Sequence, residues 1–316
     1  MPEIDCNGLR VHYQRAGQGG PDAPTVVMIH GLVIDNLSSL YYALAPGVVE
    51  TMNVVLYDLR GHGRTERPAG GYGLLQAVQD LWDLLDTLEI TEPVFLLGNS
   101  YGGTIALEAA RRNPERVRGL VLVEAHVAMP GWGTHIADQL ELAGFGLGEI
   151  DLEEWLTTKP PRKLQTLRST VDGLVNHTSV VEDFRSGPVM RPEDLKQIEC
   201  PAYAVYGEYS DVIDRADHLA SLLPRMELDV LSDCSHSAMM EATKTMRSLI
   251  ADWFTRVVAG QDVPGRRRMV SPGEGEGDGA ENKKHVDSFI ETLNRRREKA
   301  RLHAAELAAA NRSADQ

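Results

Sequence analysis

One short stretch of this chain constrains its fold more than any other. An apolar run from Val94 to Leu97 is followed by Gly98, and Ser100 then stands in the pattern G-x-S-x-G. A helical pattern begins immediately afterwards. A strand, a tight turn and a helix in this order force the middle residue into a strained backbone conformation, and flanking glycines remove the Cβ atoms that would clash there. The stretch therefore predicts a sharp strand-to-helix elbow that exposes the Ser100 hydroxyl.

Short apolar runs recur along the chain and are separated by helical patterns. In the helical patterns, apolar residues recur every three or four positions, as from Leu74 to Leu88. Buried strands that alternate with helices indicate a mostly parallel sheet covered on both faces, which is a doubly wound α/β fold. The predicted strands are Leu9 to Gln14, Thr25 to Ile29, Asn53 to Tyr57, Val94 to Leu97, Val117 to Val123, Ala202 to Tyr206 and Leu228 to Leu231.

The pattern changes in the middle of the chain, where helical spacing continues but no strand is convincing. Residues 126–195 are therefore predicted to form a helical cap, inserted after the sixth core strand and lying over the carboxyl edge of the sheet. Residues 1–125 and 196–259 are predicted to form the core.

The composition changes again after the core. Residues 260–282 are rich in Gly, Glu and Pro and are predicted to be a disordered linker. Residues 283–316 are predicted to form a C-terminal helix and tail, with a weak coiled-coil-like stripe and an excess of basic residues. This segment is either a solvated tail or a helix that docks on the body or on a second copy of the chain, which leaves a homo-oligomer open.

Charge and cysteine content limit the classes of partner. The formal net charge of −14 disfavours a nucleic-acid partner, and no apolar run is long enough to suggest a membrane span. The first residues lack the basic start and apolar core of a secretory signal. Three scattered cysteines are typical of reduced, structural thiols. We therefore expect a cytoplasmic protein.

A serine hydroxyl needs a base and a group that orients that base before it becomes a good nucleophile. His236 is the candidate base, because it follows an apolar run and precedes the last helical pattern of the core. Two acids could orient it. Asp211 follows the run that ends at Tyr206 and is the favoured candidate, while Glu124 follows the run that ends at Val123 and is the alternative.

The oxyanion that forms in such chemistry needs N–H donors that are already in place. The backbone N–H of Tyr101 is one candidate, at the start of a helix, and the N–H of Leu32 is the other. Candidate substrate-binding residues are His30, Gly31, Met129 and Trp132. No metal-ligand spacing and no phosphate-binding loop occurs, so neither a metal nor a cofactor is expected.

Several motifs together resemble those of the α/β-hydrolase superfamily. The similarity covers about Leu9 to Val258, with the serine, acid and histidine in that family's order. It implies a serine-nucleophile member with a helical cap. The motifs are His30-Gly31, Asp58 to Thr65, Gly98 to Gly103, Gly207 to Asp211 and His236.

The resemblance implies a cofactor-independent serine hydrolase that cleaves a carboxylic ester or thioester through an acyl-enzyme on Ser100. Dehalogenase and epoxide-hydrolase members carry an aspartate at the elbow, so the serine argues against both. An acyltransferase or a carrier-protein acyl-release thioesterase would use the same residues, and its partner would be an acyl carrier protein. The Gly-Asn-Ser-x-Gly-Gly elbow is similar to that of C–C bond hydrolases, although Val33 to Asn36 and Ser237 depart from their pattern. A non-catalytic ligand-binding protein is the remaining alternative.

Overall fold

A computed structural model describes residues 2–33, 35–149, 161–277 and 284. These residues contain one nine-stranded sheet. Its strands are β1 (Glu3–Cys6), β2 (Leu9–Ala16), β3 (Thr25–Ile29), β4 (Asn53–Tyr57), β5 (Val94–Asn99), β6 (Val117–Val123), β7 (Ala202–Gly207), β8 (Met226–Leu231) and β9 (Arg266–Val270).

The strands lie in the order β1-β2-β4-β3-β5-β6-β7-β8-β9. The β1/β2 and β2/β4 pairs are antiparallel, and every other pair is parallel. The central strands are buried on both faces, which explains their continuous apolar sequences. The parallel strands all place their carboxyl ends at one edge, and this confirms the predicted α/β class.

Ten α-helices connect the strands in the described part of the chain. They are α1 (Leu37–Ala43), α2 (Leu74–Thr87), α3 (Tyr101–Arg112), α4 (Trp132–Glu149), α5 (Pro161–Val175), α6 (Val180–Arg185), α7 (Pro192–Leu195), α8 (Ile213–Leu222), α9 (Ala238–Glu241) and α10 (Thr243–Val258). Apolar residues of α2, α3, α6 and α8 pack on one face of the sheet. Those of α1, α9 and α10 pack on the other.

The described residues of the predicted cap region contain four helices and no strand. Helices α4 to α7 lie between β6 and β7, and α4 packs against α5 and α6. Arg185 of α6 forms ion pairs with Asp138 and Glu141 of α4 at 3.1 and 3.2 Å. Residues 150–160 lie outside the described residues.

The structure differs from the expectation of a disordered linker over 260–282. Residues Arg266–Val270 form strand β9, which pairs in parallel with β8 and extends the sheet by one strand. The physical reason is charge pairing. Arg268 contacts the buried carboxylate of Asp229 at 2.5 Å, and Arg266 contacts that of Glu227 at 2.5 Å. The predicted C-terminal helix lies outside the described residues, apart from Lys284, which is helical.

Candidate active site

Ser100 lies at the turn between β5 and α3, where the sequence places the elbow. Its backbone has φ = 51°, a strained value for a residue with a side chain, and its N–H donates to the carbonyl of Val123 at 2.9 Å. The glycines are required by close packing. A Cβ on Gly102 would overlap the carbonyl oxygen of Ile29, and one on Gly98 would overlap the backbone of Gly102. Positions 98 and 102 of the elbow therefore accept only glycine.

His236 lies on the loop between β8 and α9, at the same edge of the sheet. Its Nε2 is 3.3 Å from Ser100 Oγ, which is within reach for proton transfer. Glu241 of α9 fixes this loop, because its carboxylate accepts hydrogen bonds from the N–H and the hydroxyl of Ser235 at 2.6 and 2.7 Å. The structure thus brings the predicted nucleophile and base together.

Two carboxylates approach the other ring nitrogen of His236. Glu124 Oε2 is 3.1 Å from Nδ1, whereas Asp211 Oδ1 is 3.6 Å away. Glu124 is fully buried, and it also accepts hydrogen bonds from the N–H of Gly207 and, at 2.5 Å, from the hydroxyl of Ser210. The Asp211 side chain is 71% exposed. The sequence favours Asp211, but the geometry gives the closer and better-held contact to Glu124.

The surroundings of His236 act on its pKa in opposite directions. Burial lowers it, but the hydrogen bond and charge of Glu124, together with the charge of Asp211, outweigh burial and raise the pKa of His236 above its ordinary value. A carboxylate on Nδ1 also fixes the tautomer that leaves Nε2 free to accept a proton. The imidazole is therefore oriented as a base toward Ser100.

The candidate oxyanion-hole loop lies directly against the elbow. A Cβ on Gly31 would stand 3.5 Å from the Cβ of Ser100. Beyond Leu32, the N–H of Val33 donates to Nε2 of the buried His62 at 2.8 Å, although Val33 has an unfavourable φ of 67°. The N–H of Tyr101 lies at the first turn of α3. The two predicted N–H donors, on Leu32 and Tyr101, thus belong to the two segments that adjoin Ser100.

The predicted substrate-binding residues have different surroundings. His30 is fully buried, its Nδ1 lies 2.6 Å from the carbonyl of Gly31, and its Nε2 accepts from the N–H of Leu59 at 3.0 Å, so its ring braces two loops rather than facing a substrate. Trp132, at the start of α4, stacks on the ring of Tyr101 at 6.2 Å. Met129 is partly buried against the core next to it.

Sequence reasoning missed two residues that lie next to His236, the candidate base. His126 lies with its ring 5.4 Å from that of His236, and no hydrogen bond reaches its ring from the described residues. Burial and the nearby His236 lower the pKa of His126 to about 4, so its ring is neutral at pH 7. Ser210 donates to Glu124 and lies 3.5 Å from His236 Nδ1. Both follow strand ends, a position that would have been the signal for them.

A small cavity of about 20 Å³, partly open to solvent, is lined by Leu32 and Tyr101 and by Val180 and Phe184 of the cap helix α6. Among the described residues, no group of three or more His, Cys, Asp or Glu side chains is placed to hold a metal ion. Within the same ranges, every helix is too short or too polar to cross a lipid bilayer.

Known proteins share this architecture. The model of the alpha/beta hydrolase family matches residues 26–247. The 2-hydroxymuconate semialdehyde hydrolase of Pseudomonas sp. (strain CF600) is 29% identical over 282 residues, covering 81% of this chain and 94% of that protein. The serine hydrolase BPHL of Mus musculus is 24% identical over 263 residues, covering 80% and 85%.

A solved structure with a similar fold is the enol-lactonase from Burkholderia xenovorans LB400, with a TM-score of 0.66 and 22% identity. The match covers 80% of this chain and 100% of that one. The strand order, the serine at a strained elbow and the matched family model agree. The chain belongs to the α/β-hydrolase family, and it is a hydrolytic enzyme of that family.

Proposed function

We propose that this enzyme cleaves a carboxylic ester or thioester through an acyl-enzyme on Ser100. One observation carries the proposal: Ser100 Oγ lies 3.3 Å from His236 Nε2, and Nδ1 of the same ring lies 3.1 Å from the buried Glu124 carboxylate. This is the nucleophile–base–acid order that activates a serine hydroxyl.

In the proposed mechanism, His236 takes the proton of Ser100 as the oxygen attacks the acyl carbonyl. The N–H groups of Leu32 and Tyr101 bind the resulting oxyanion. His236 then protonates the leaving group, and water releases the acyl group by the same steps in reverse order. Glu124 orients the imidazole and stabilises its charged form, which assigns the acid to the residue that the sequence ranks second.

A fluorophosphonate probe, which labels only activated serines, tests this proposal. Wild-type protein should gain one adduct by intact mass, whereas Ser100→Ala and His236→Ala should gain none. A panel of acyl esters and thioesters then defines the turnover. An unlabelled wild-type protein would contradict the proposal and favour a non-catalytic binding role.

A C–C bond hydrolase is the second candidate, favoured by the similarity to the 2-hydroxymuconate semialdehyde hydrolase along 94% of that protein. The probe does not separate the two candidates, because both would use an activated serine. Incubation with 2-hydroxymuconate semialdehyde does. Consumption of this compound at a higher kcat/KM than that of any ester or thioester in the panel would favour C–C cleavage.

A further inference from the structure

Three consecutive backbone N–H groups lie in the loop after β3, next to the nucleophile, and side chains take up two of them. The N–H of Gly31 donates to Oδ2 of Asp35 at 3.0 Å. The N–H of Val33 donates to Nε2 of His62 at 2.8 Å. The N–H of Leu32, between these two, has no acceptor among the described residues. The loop therefore leaves one donor available, and it is the one expected at the oxyanion.

The carboxylate of Asp35 connects this loop to the elbow. Its Oδ2 also accepts from the side-chain amide of Asn99, the residue before the nucleophile, at 3.3 Å, and its Oδ1 accepts from the N–H of Asn36 at 3.0 Å. A Cβ on Gly31 would stand 3.3 Å from Asp35 Oδ2 and 3.5 Å from the Cβ of Ser100. The carboxylate thus bonds to both segments whose relative position sets the geometry of an oxyanion hole.

The ring of His62 holds the loop on the other side of the free N–H. Its Nδ1 lies 2.9 Å from the carbonyl of Arg60, and donation to that carbonyl leaves Nε2 as the acceptor that the N–H of Val33 needs. Burial and the neighbouring His30 lower the pKa of His62 to about 3, so the ring stays neutral near pH 7 and keeps this acceptor. Val33 has φ = 67°, an unfavourable value for a β-branched residue, and this hydrogen bond helps to hold it there.

We propose that Asp35 and His62 are positioning residues of the oxyanion hole. Each takes the N–H on one side of Leu32, so that the N–H of Leu32 is left free and held toward the oxyanion that forms on the acyl carbonyl. A donor of this kind contributes most when its direction is set before the reaction. The inference rests on the proposed function and adds to it two residues that act through the loop rather than on the substrate.

The rate of reaction with a fluorophosphonate probe tests the role of Asp35, because the phosphoryl oxygen gains negative charge as Ser100 attacks. The limiting rate constant, kinact, reports the chemical step, and KI reports binding of the probe. We expect Asp35→Ala to lower kinact by about tenfold to a hundredfold, less than the loss of a whole donor, and to change KI by less than about twofold. Asp35→Asn keeps an acceptor for Gly31 and should stay within about fivefold of the wild-type kinact.

The charge of Asp35 acts in the opposite direction, because a carboxylate by itself disfavours a nearby oxyanion. If charge outweighed geometry, kinact would rise in both Asp35→Ala and Asp35→Asn. An unchanged or higher kinact in Asp35→Ala would therefore overturn the inference.

Asn36→Ala is the matched control for a general loosening of the same segment. The Asn36 side chain caps α1, where it accepts from the N–H of Ser38 at 3.0 Å. Its removal should lower the melting temperature and leave kinact within about twofold of wild type. A loss of kinact in Asn36→Ala as large as that in Asp35→Ala would contradict a specific positioning role.

His62→Phe keeps an aromatic ring in the buried position and removes the acceptor for Val33. We expect kinact to fall and KI to stay near the wild-type value, as in Asp35→Ala. The acid limb of kinact should stay at the same pH in both variants, because the oxyanion hole does not set the pKa of His236. A shifted acid limb would show that the loss acts through His236 and would contradict the inference. If His62→Phe does not fold, the Asp35 variants decide the proposal.

The failure of this inference and that of the proposed function give different results. If the probe labels wild-type Ser100 and kinact is the same in folded Asp35→Ala and His62→Phe proteins, the positioning role is wrong and the serine-hydrolase proposal stands. If the probe does not label wild-type Ser100, the proposed function fails and the inference fails with it.

Discussion

At the scale of single residues, the nitrogen Nδ1 of His236 faces two carboxylates that differ in burial, hydrogen bonding and distance. Glu124 is buried and held by Gly207 and Ser210, whereas Asp211 is exposed and 0.5 Å farther away (3.6 against 3.1 Å). An orienting acid acts by holding a fixed geometry, which burial and additional hydrogen bonds favour. Glu124, which follows β6, should therefore contribute more to catalysis than Asp211, which follows β7.

Glu124→Gln and Asp211→Asn compare the two acids directly. We expect Glu124→Gln to lower kcat by between about 10² and 10⁴, because the imidazole loses its charged partner. Asp211→Asn should lower kcat less than about tenfold. Steady-state kinetics on an ester that the wild type cleaves provide the measurement, with melting temperatures as the control for folding. A larger loss of kcat in Asp211→Asn than in Glu124→Gln would instead support Asp211, the acid that the sequence favours.

The pKa of His236 predicts the pH dependence of activity. A base works only when it is unprotonated, so activity falls as the pH drops through its pKa. Because this pKa is raised, the acid limb of kcat/KM should lie above the ordinary histidine value of about 6.5.

Glu124→Gln should move the same acid limb to lower pH, because burial still opposes the charged imidazole while the largest favourable charge is gone. Asp211→Asn should move it less in the same direction. The pH profiles of the three proteins decide this, and an upward shift in Glu124→Gln would contradict the assigned environment.

The residue scale also shows what sequence can and cannot predict. Ser100 and His236 are predictable because each has a local signal, a glycine-flanked elbow and a position after a strand. The choice between Glu124 and Asp211 has no local signal, because both follow strands of the same sheet edge. It depends on side-chain reach and burial, to which the backbone of Glu124, with φ = 50°, also contributes.

At the scale of elements, β9 shows how charge can place a strand that has no strand pattern. Its sequence, Arg-Arg-Arg-Met-Val, lacks the alternation that predicts a strand and follows a stretch rich in glycine and proline. Its partners are two acids on β8, which are distant in sequence and fully buried. The strand therefore depends on non-local pairing, whereas β3 to β8 were predictable from their own apolar runs.

Replacing Arg268 tests the pairing of β9. Among the described residues, Arg268→Met leaves the buried carboxylate of Asp229 with the Tyr203 hydroxyl, at 2.6 Å, as its one side-chain partner. We expect this variant to lower the free energy of unfolding by about 3 kcal/mol. Arg267→Met is the matched control on the same strand, because Arg267 pairs with the half-exposed Asp217. It should cost no more than about 0.5 kcal/mol. Urea unfolding gives both free energies. Equal losses in the two variants would show that the buried Arg268–Asp229 pair is not the main contribution of β9 to stability.

At the scale of the whole molecule, residues after the core continue to stabilise it. Besides β9, Glu276 accepts a hydrogen bond from the N–H of Lys244 at 2.7 Å and another from the Thr245 hydroxyl at 2.7 Å, at the first turn of α10. Residues 260–277 are thus part of the folded body, although their composition is that of a linker.

Two truncations separate this segment from the rest of the tail. A chain that ends at Ala259 should melt about 10 °C or more below one that ends at Gly277, because it loses β9 and the cap on α10, at roughly 2–4 °C per kcal/mol for a domain of this size. Equal melting temperatures would contradict a structural role for 260–277. The molar mass of the chain ending at Gly277, compared with the full chain, tests whether the C-terminal segment pairs two copies.

The position of β9 at the edge of the sheet affects whether the protein self-associates after proteolytic cleavage. A free sheet edge presents unpaired N–H and carbonyl groups that invite strands from other molecules, and charged side chains on that edge oppose such pairing. With β9 present, the outermost strand carries Arg266, Arg267 and Arg268. A protease cut before β9 would instead uncover β8, which is apolar except for two carboxylates without their cations. We therefore expect strand β9 to oppose self-association. Molecules cleaved before β9 should aggregate before they lose catalytic activity.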